Sequence, residues 1–363
     1  MKDKGWQVVD ISDVEIIAPN FKQRLSGVTS TIIQLIPVQR ALGQKVAALG
    51  PGLPQSLPHI GYRSLLSLWC RPKNRALRVW HARRNIEMLP AIFMRDILRM
   101  KLKIVFTSAS QRKHSGWTKF LVSQMDAVIA TSNRTAAYLE VPSTTIMHGI
   151  DTQRFFPAVD KAAAKSALGL PADKKIAGCF GRVRHQKGTD LFVDSMINLL
   201  PQRPDWVAIV AGRATPSHQA FETELKAKVK AAGLAERILF VGEHTNIPDW
   251  YRALDLFIAP QRWEGFGLTP LEAMATQVPV VATDVGAFSE LLVTGADETG
   301  ILIPAGDLAA MAGAAASFMD DPDRTARAGE HGLSRAIDSF SIRGEASRIG
   351  AVYEKLLSGT VSA

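Results

Sequence analysis

The sequence predicts an α/β protein of two domains, each built on a parallel sheet, and three observations predict it. Short β-branched runs alternate with longer amphipathic stretches along the chain, which is the pattern of successive βα units. The 363 residues are 47% hydrophobic and 21% charged, a globular composition long enough for two separate cores. The alternation pauses between residues 151 and 173, where Pro157, Pro171 and an Ala/Lys-rich stretch read as a linker with a short helix.

In the first half, residues 14–19, 45–49, 77–80, 103–107, 127–131 and 144–147 read as strands. The segments between them read as helices, 28–42 most plainly, where apolar residues recur at helical spacing. The second half repeats the alternation with strands at 175–180, 206–211, 238–241, 256–259, 278–282 and 300–303. From Asp307 onward the chain is Ala-rich and helical, broken at Pro322 and over 338–341. The expected division is a first domain over 1–150, a linker over 151–172, a second domain over 173–340, and a helix in 341–363 packing back toward the first domain.

Composition narrows the function. Cys70 and Cys179 lie far apart with no CxxC or Cys/His cluster, so no disulfide framework or structural zinc site is encoded, and a reducing cytoplasm fits. The N-terminus lacks a basic start followed by an apolar stretch, and no apolar run approaches the roughly 20 residues that span a bilayer. A cytoplasmic protein is expected, at most peripheral on the inner face of the cytoplasmic membrane. Residues 1–150 carry 21 Lys and Arg against 8 Asp and Glu, a net +13, whereas the remainder carries a net −4. Much of the excess lies between residues 71 and 103, Arg83 and Arg84 included, opposed there only by Glu87 and Asp96. Such a field either draws an anionic partner to the first domain or is a solvated basic face.

In open parallel sheets ligands sit beyond the carboxyl ends of the strands, and four segments fall there. The first is Glu264-Gly265-Phe266-Gly267-Leu268-Thr269-Pro270-Leu271-Glu272, after the strand ending at Ala259. Its glycines let backbone N–H groups approach a ligand, and the helix start supplies unpaired donors for an anion. Thr269, Pro270 and Glu272 also fit N-cap, N1 and N3, which would make Glu272 part of a capping box. Capping leaves Glu264 and the Gly-Phe-Gly run unexplained, and a ligand role is favoured. The second is Gly181-Arg182 with Lys187-Gly188, where a guanidinium and an ammonium could grip a diphosphate from two sides. The third is the turn around Arg24 to Gly27, which carries neither GxGxxG nor GxxxxGK[ST]. The fourth is His81 with Arg83 and Arg84 at a strand end, where a lone His is as often structural as functional.

Glu264-x7-Glu272 enclosing Phe266-Gly267, Gly181-Arg182-x4-Lys187-Gly188, and His148-Gly149-Ile150-Asp151 followed by Phe155 and Pro157 resemble glycosyltransferase family 4 of the GT-B fold. In detail the chain is most similar to the lipopolysaccharide-core mannosyltransferases of α-proteobacteria. The resemblance implies two Rossmann-like domains whose parallel sheets face a cleft, with a nucleotide sugar bound there and its hexose transferred with retention. It implies that Arg182 and Lys187 neutralise the donor diphosphate, that Glu272 binds the ribose and Glu264 the transferred sugar, and that Phe266, Gly267 and Leu268 offer backbone N–H groups. Gly27 would lie near the diphosphate, His81 would face the sugar, and the loop Glu243 to Asn246 would pack on the base. One glycine stands in the first-domain loop where many members have two, and His148 stands where Asn is common.

The expected donor is GDP-mannose, with a UDP-hexose as the alternative. The expected acceptor is an anionic glycolipid at the membrane surface, such as a Kdo-bearing inner core, with Arg83 and Arg84 as candidate contacts. Neither a metal nor a cofactor is expected, and the only DxD, Asp321-Pro322-Asp323, reads as a turn and helix cap. A sugar-nucleotide epimerase shares the architecture but needs acid/base groups on the sugar. Nucleic-acid binding is disfavoured by the few aromatics in the basic stretch and the lack of a recognisable motif.

Overall fold

The computed structural model describes residues 7–23 and 27–358. The chain divides into two compact units, one of residues 1–149 with 342–363 and the other of residues 150–341.

The first unit holds an eight-stranded, wholly parallel sheet: β1 (Gln7–Val8), β2 (Ile16–Pro19), β3 (Val46–Leu49), β4 (Pro58–His59), β5 (Arg78–Ala82), β6 (Leu102–Ser108), β7 (Ala127–Ala130) and β8 (Thr144–Thr145). Their order is β1-β4-β3-β2-β5-β6-β7-β8, so chain direction across the sheet reverses between β2 and β5. Strands β2, β3 and β5 are buried at every residue, as a parallel sheet covered on both faces requires. The helix Gly27–Ala41 presents Thr29, Ile32, Leu35, Ile36 and Gln39 to the core. The C-terminal helix Ile342–Leu357 buries residues 342, 345, 346, 349, 350, 353, 356 and 357, an unbroken stripe at 3.6 spacing that packs into the same core. Gln44 donates to Ala346 O at 2.9 Å, and Gly350 lets the helix approach that side chain closely.

The second unit holds a six-stranded parallel sheet of β9 (Lys175–Phe180), β10 (Trp206–Ala211), β11 (Ile238–Gly242), β12 (Leu256–Ala259), β13 (Val280–Thr283) and β14 (Gly300–Ile303). The order β11-β10-β9-β12-β13-β14 places the reversal between β9 and β12. All twelve strands expected from the sequence are present; β1 and β4, two residues each, are additional.

The stretch 151–172, expected as a linker, is built into this unit. Asp160 caps the helix Lys161–Ala167, whose Lys165 is only 5% exposed and donates to Asp255 at 2.8 Å and to Lys174 O at 2.7 Å. Phe155 packs on Tyr251 with ring centroids 5.9 Å apart. Asp321 caps the helix Pro322–Ser339, accepting from the Arg324 N–H at 2.9 Å. No helix among the described residues is long and apolar enough to cross a membrane.

Candidate active site

A cleft of about 270 Å³ opens in the second unit at the carboxyl ends of β9, β10 and β11. Arg182, Arg213, Glu243, His244, Tyr251, Thr269 and Glu272 line it with the backbone of Gly181 and Gly212. Its floor is fixed by Tyr251, which is fully buried against Phe180, with centroids 4.7 Å apart, and Phe257. The Tyr251 hydroxyl donates to Glu272 Oε2 at 2.7 Å. Burial pushes the Glu272 carboxyl above the usual carboxylate range, with the Tyr251 bond and the Arg154 charge pulling it partly back. Burial, then the Glu272 charge, pushes the Tyr251 phenol well above its ordinary value, so it stays a donor.

Glu272 is therefore not part of a capping box. The helix runs Thr269–Ala275 with Leu268 at the cap position, one residue earlier than the sequence suggests, because Leu268 already has helical backbone angles. Glu272 thus falls a residue beyond capping reach, and the Thr269 hydroxyl is buried at the cleft with no hydrogen-bond partner.

Beside this cleft the loop after β9 meets the loop after β12. Lys187 pairs with Glu264 Oε2, while Glu264 Oε1 accepts from the Gly265 N–H at 3.0 Å. Gly188 holds φ at +71°, and a Cβ there would lie 1.8 Å from Pro260 O; Gly267, at φ +87°, would clash with Phe288. Only glycine permits either approach. Arg262 fixes the first loop further, forming two bonds of 2.8 and 2.7 Å to Asp190 and donating its N–H to Gln186 O. Phe266 is 5% exposed and its carbonyl accepts from Ala287, so the second loop is seated on the turn before the helix Phe288–Leu291.

Of the segment 243–246, Glu243 lines the cleft and pairs with Arg213 at 3.4 Å. Asn246, expected beside it, instead bonds Asp249 at 3.0 Å, because it begins the helix Ile247–Arg252 and its amide reaches that first turn. The residue that takes its place is His244, stacked on Trp250 at 4.2 Å. Tyr251 and Arg213 are not singled out by the sequence, which offers Thr269 only as a helix cap and His244 only within the loop 243–246; position just beyond β10 is the signal that points to Arg213.

In the first unit the expected roles change. His81 is fully buried at the end of β5, its ring nitrogens engaged by Tyr353 Oη at 2.5 Å and Thr107 Oγ1 at 2.6 Å. Burial, and then the Arg83 charge, hold its pKa well below the ordinary value, so it is a neutral hydrogen-bonding hub and not an exposed group facing a sugar. Arg84 is likewise committed, to Glu87 Oε1 at 2.7 Å, Asn20 Oδ1 at 2.8 Å and Thr29 Oγ1 at 3.1 Å. Glu87 has no exposed surface, so Arg84 neutralises a buried charge at the β2/β5 reversal and is not free for an acceptor. Arg83 donates to His81 O at 3.2 Å and is half-buried. Gly27 begins its helix uncrowded, while Arg24, Leu25 and Ser26 of that turn lie outside the described residues. His148 and the Gly149 N–H both bond Glu345 at 2.8 Å, tying the motif to the C-terminal helix.

Two parallel sheets, each reversing direction beside its first long strand, are the two halves of a GT-B fold. Solved structures agree: HepE of Anabaena, in complex with UDP, superposes with a TM-score of 0.81 over 94% of this chain and all of that chain, at 18% identity, a likeness of fold alone. The C-terminal domain of a group 1 glycosyl transferase from Francisella tularensis, LpcC, matches 53% of the chain and all of its own length at 38% identity and a TM-score of 0.51. Residues 160–335 match the family described as glycosyl transferases group 1. The lipopolysaccharide core biosynthesis mannosyltransferase LpsB of Rhizobium meliloti is 73% identical, over 96% of this chain and all of its own. The like-named LpcC of Rhizobium leguminosarum bv. viciae is 56% identical over 96% and 98%. The chain belongs to the group 1 glycosyl transferases and is a hexosyltransferase.

Proposed function

We propose that the enzyme transfers mannose from GDP-mannose, with retention, to an anionic glycolipid of the lipopolysaccharide core at the cytoplasmic membrane face. The observation that carries the donor side is the second-unit cleft, where a buried, tyrosine-held carboxylate and Arg182 line one space beside Lys187 and Glu264. Glu272 accepts the two hydroxyls of the ribose, and His244 and Glu243 meet the base. Arg182 and Lys187 bind the diphosphate, the ammonium leaving Glu264 as it does so and freeing that carboxylate for hydroxyls of the mannose. The N–H groups of Phe266 to Leu268 complete the sugar and phosphate contacts.

Leaving-group departure builds charge on a phosphate oxygen, and cations aimed there stabilise the transition state more than the ground state. The bond from the anomeric carbon to that oxygen breaks while the acceptor oxygen bonds to the same face. The acceptor proton passes to the departing phosphate, and no step calls for a metal. The names of the 73% and 56% identical relatives support mannose and the lipopolysaccharide core.

Calorimetry with GDP-mannose, GDP, UDP-glucose and UDP, in EDTA, on wild type and Glu272→Ala tests this. GDP-mannose binding that persists in EDTA and is lost in the variant is expected. Preference for a UDP sugar would replace the donor, and an unaffected variant would remove Glu272 from the site.

A further inference from the structure

The chain's exposed large apolar side chains gather in the first unit. On the continuous helical stretch Asn85–Ile92 and Phe93–Ile97, residues Ile86, Leu89, Phe93 and Ile97 are 45–65% exposed, while Glu87, Met88, Ala91 and Met94 are buried. Spacings of three, four and four make the exposed set one stripe. The helix Gly116–Ser123 lies alongside, held by Asn85 to Thr118 at 2.8 Å and by Arg95 to Gln124 O at 2.9 Å. Its Trp117 and Phe120 are each about half exposed and stack with centroids 5.7 Å apart. At the far end of the stripe the Trp69 indole donates to Leu98 O at 2.7 Å. An apolar band bounded by tryptophans is thus left uncovered.

The charge around it has one sign. The nearby carboxylates are taken: Asp96 and Asp126 by Arg95, Glu140 by Lys119, and Glu87 by Arg84. Arg63, Arg71, Arg99, Lys101, Arg112 and Lys113 are exposed and have no ion pair among the described residues. We infer that the stripe Ile86/Leu89/Phe93/Ile97, with Trp69, Trp117 and Phe120 and these flanking cations, docks the enzyme on an anionic lipid bilayer. The stripe is too short to span, so the helix lies in the interface plane with its apolar face in the acyl boundary and the cations among the headgroups. The inference deepens the functional reading above, supplying the surface by which an enzyme of a membrane glycolipid meets its acceptor.

Co-sedimentation of the full chain with vesicles of phosphatidylcholine, alone or with phosphatidylglycerol, at low and high salt tests it. Wild type is expected to bind the anionic vesicles, more weakly in high salt. Leu89→Glu/Phe93→Glu/Ile97→Glu and Arg99→Glu/Lys101→Glu should each lower that binding about tenfold or more while leaving the melting temperature and GDP-mannose binding unchanged. Binding equal in all three proteins, or none by wild type, overturns the inference. So does a wild-type dimer in sedimentation velocity that the triple variant dissolves without losing vesicle affinity, since the face would then join two copies. Failure of GDP-mannose to bind, with vesicle binding intact, would remove the donor reading and leave the docking face standing.

Discussion

Replacing Tyr251 by Phe removes one oxygen and keeps the ring that packs on Phe180, Phe155 and Phe257. What is lost is the 2.7 Å bond to Glu272. A hydrogen bond to a charged group contributes about 1.5–3 kcal/mol. If Glu272 holds the donor ribose, part of that loss appears as affinity, and tenfold weaker donor binding corresponds to about 1.4 kcal/mol. Calorimetry should show that loss at neutral pH, with the remainder appearing as a melting temperature a few degrees below wild type. Burial holds the Glu272 carboxyl above its ordinary range, and the Tyr251 hydroxyl pulls it down. Only the carboxylate accepts both ribose hydrogens, so affinity is full above the raised pKa and falls as pH drops through it. Without the hydroxyl that fall begins at higher pH. In a Glu272→Ala background Tyr251→Phe should add almost nothing. An equal penalty in both backgrounds, or an unchanged pH profile, would refute the reasoning and leave Tyr251 a packing residue.

Arg84→Ala strands a buried Glu87 charge and should cost about 3–5 kcal/mol in urea unfolding, whereas an acceptor contact would raise the acceptor KM at unchanged stability. Gly188→Ala adds a Cβ 1.8 Å from Pro260 O in left-handed backbone that alone costs about 1–2 kcal/mol. A melting temperature lower by about 4 °C or more is expected. Lys187→Gln should lower kcat about 100-fold or more if the ammonium meets the leaving phosphate, read by donor hydrolysis or transfer. His81, whose folded pKa is depressed, contributes stability present above its unfolded pKa of about 6.5 and lost as pH falls below it. Thermal melts of His81→Gln across that range should lack this component of the slope.

Periodicity reveals a strand when it is long enough to show alternation or a buried run: the six-residue β9 and β10 are legible, Gln7–Val8 and Pro58–His59 are not, and of the expected strand 144–147 only Thr144–Thr145 forms. The glycines and charges of the donor loops were legible because βα turns put their chemistry in consecutive residues. Pairings across the fold were not. Tyr251 and Glu272 are 21 residues apart on different helices, and nothing local to either announces the bond. The same holds for His81 and Tyr353, 272 residues apart, a contact that turns a candidate catalytic histidine into a neutral hub.

The basic first half shows why counting charge does not locate its use. Arg78 is buried, donating to Val14 O, Cys70 O and Ile11 O; Arg75 meets Glu15 and Glu354, and Lys103 meets Asp126. These cations, with Arg84, hold the unit together, so the field expected around Arg83 and Arg84 is largely spent inside the fold. The cations left in solvent stand beside the exposed apolar stripe, where a single-signed fringe favours an anionic surface and a discrete sugar acid would find few oriented donors. On the docking inferred above, net charge serves to bring the enzyme to the bilayer, and selection of the acceptor is left to short-range groups, with the half-buried Arg83 as the candidate.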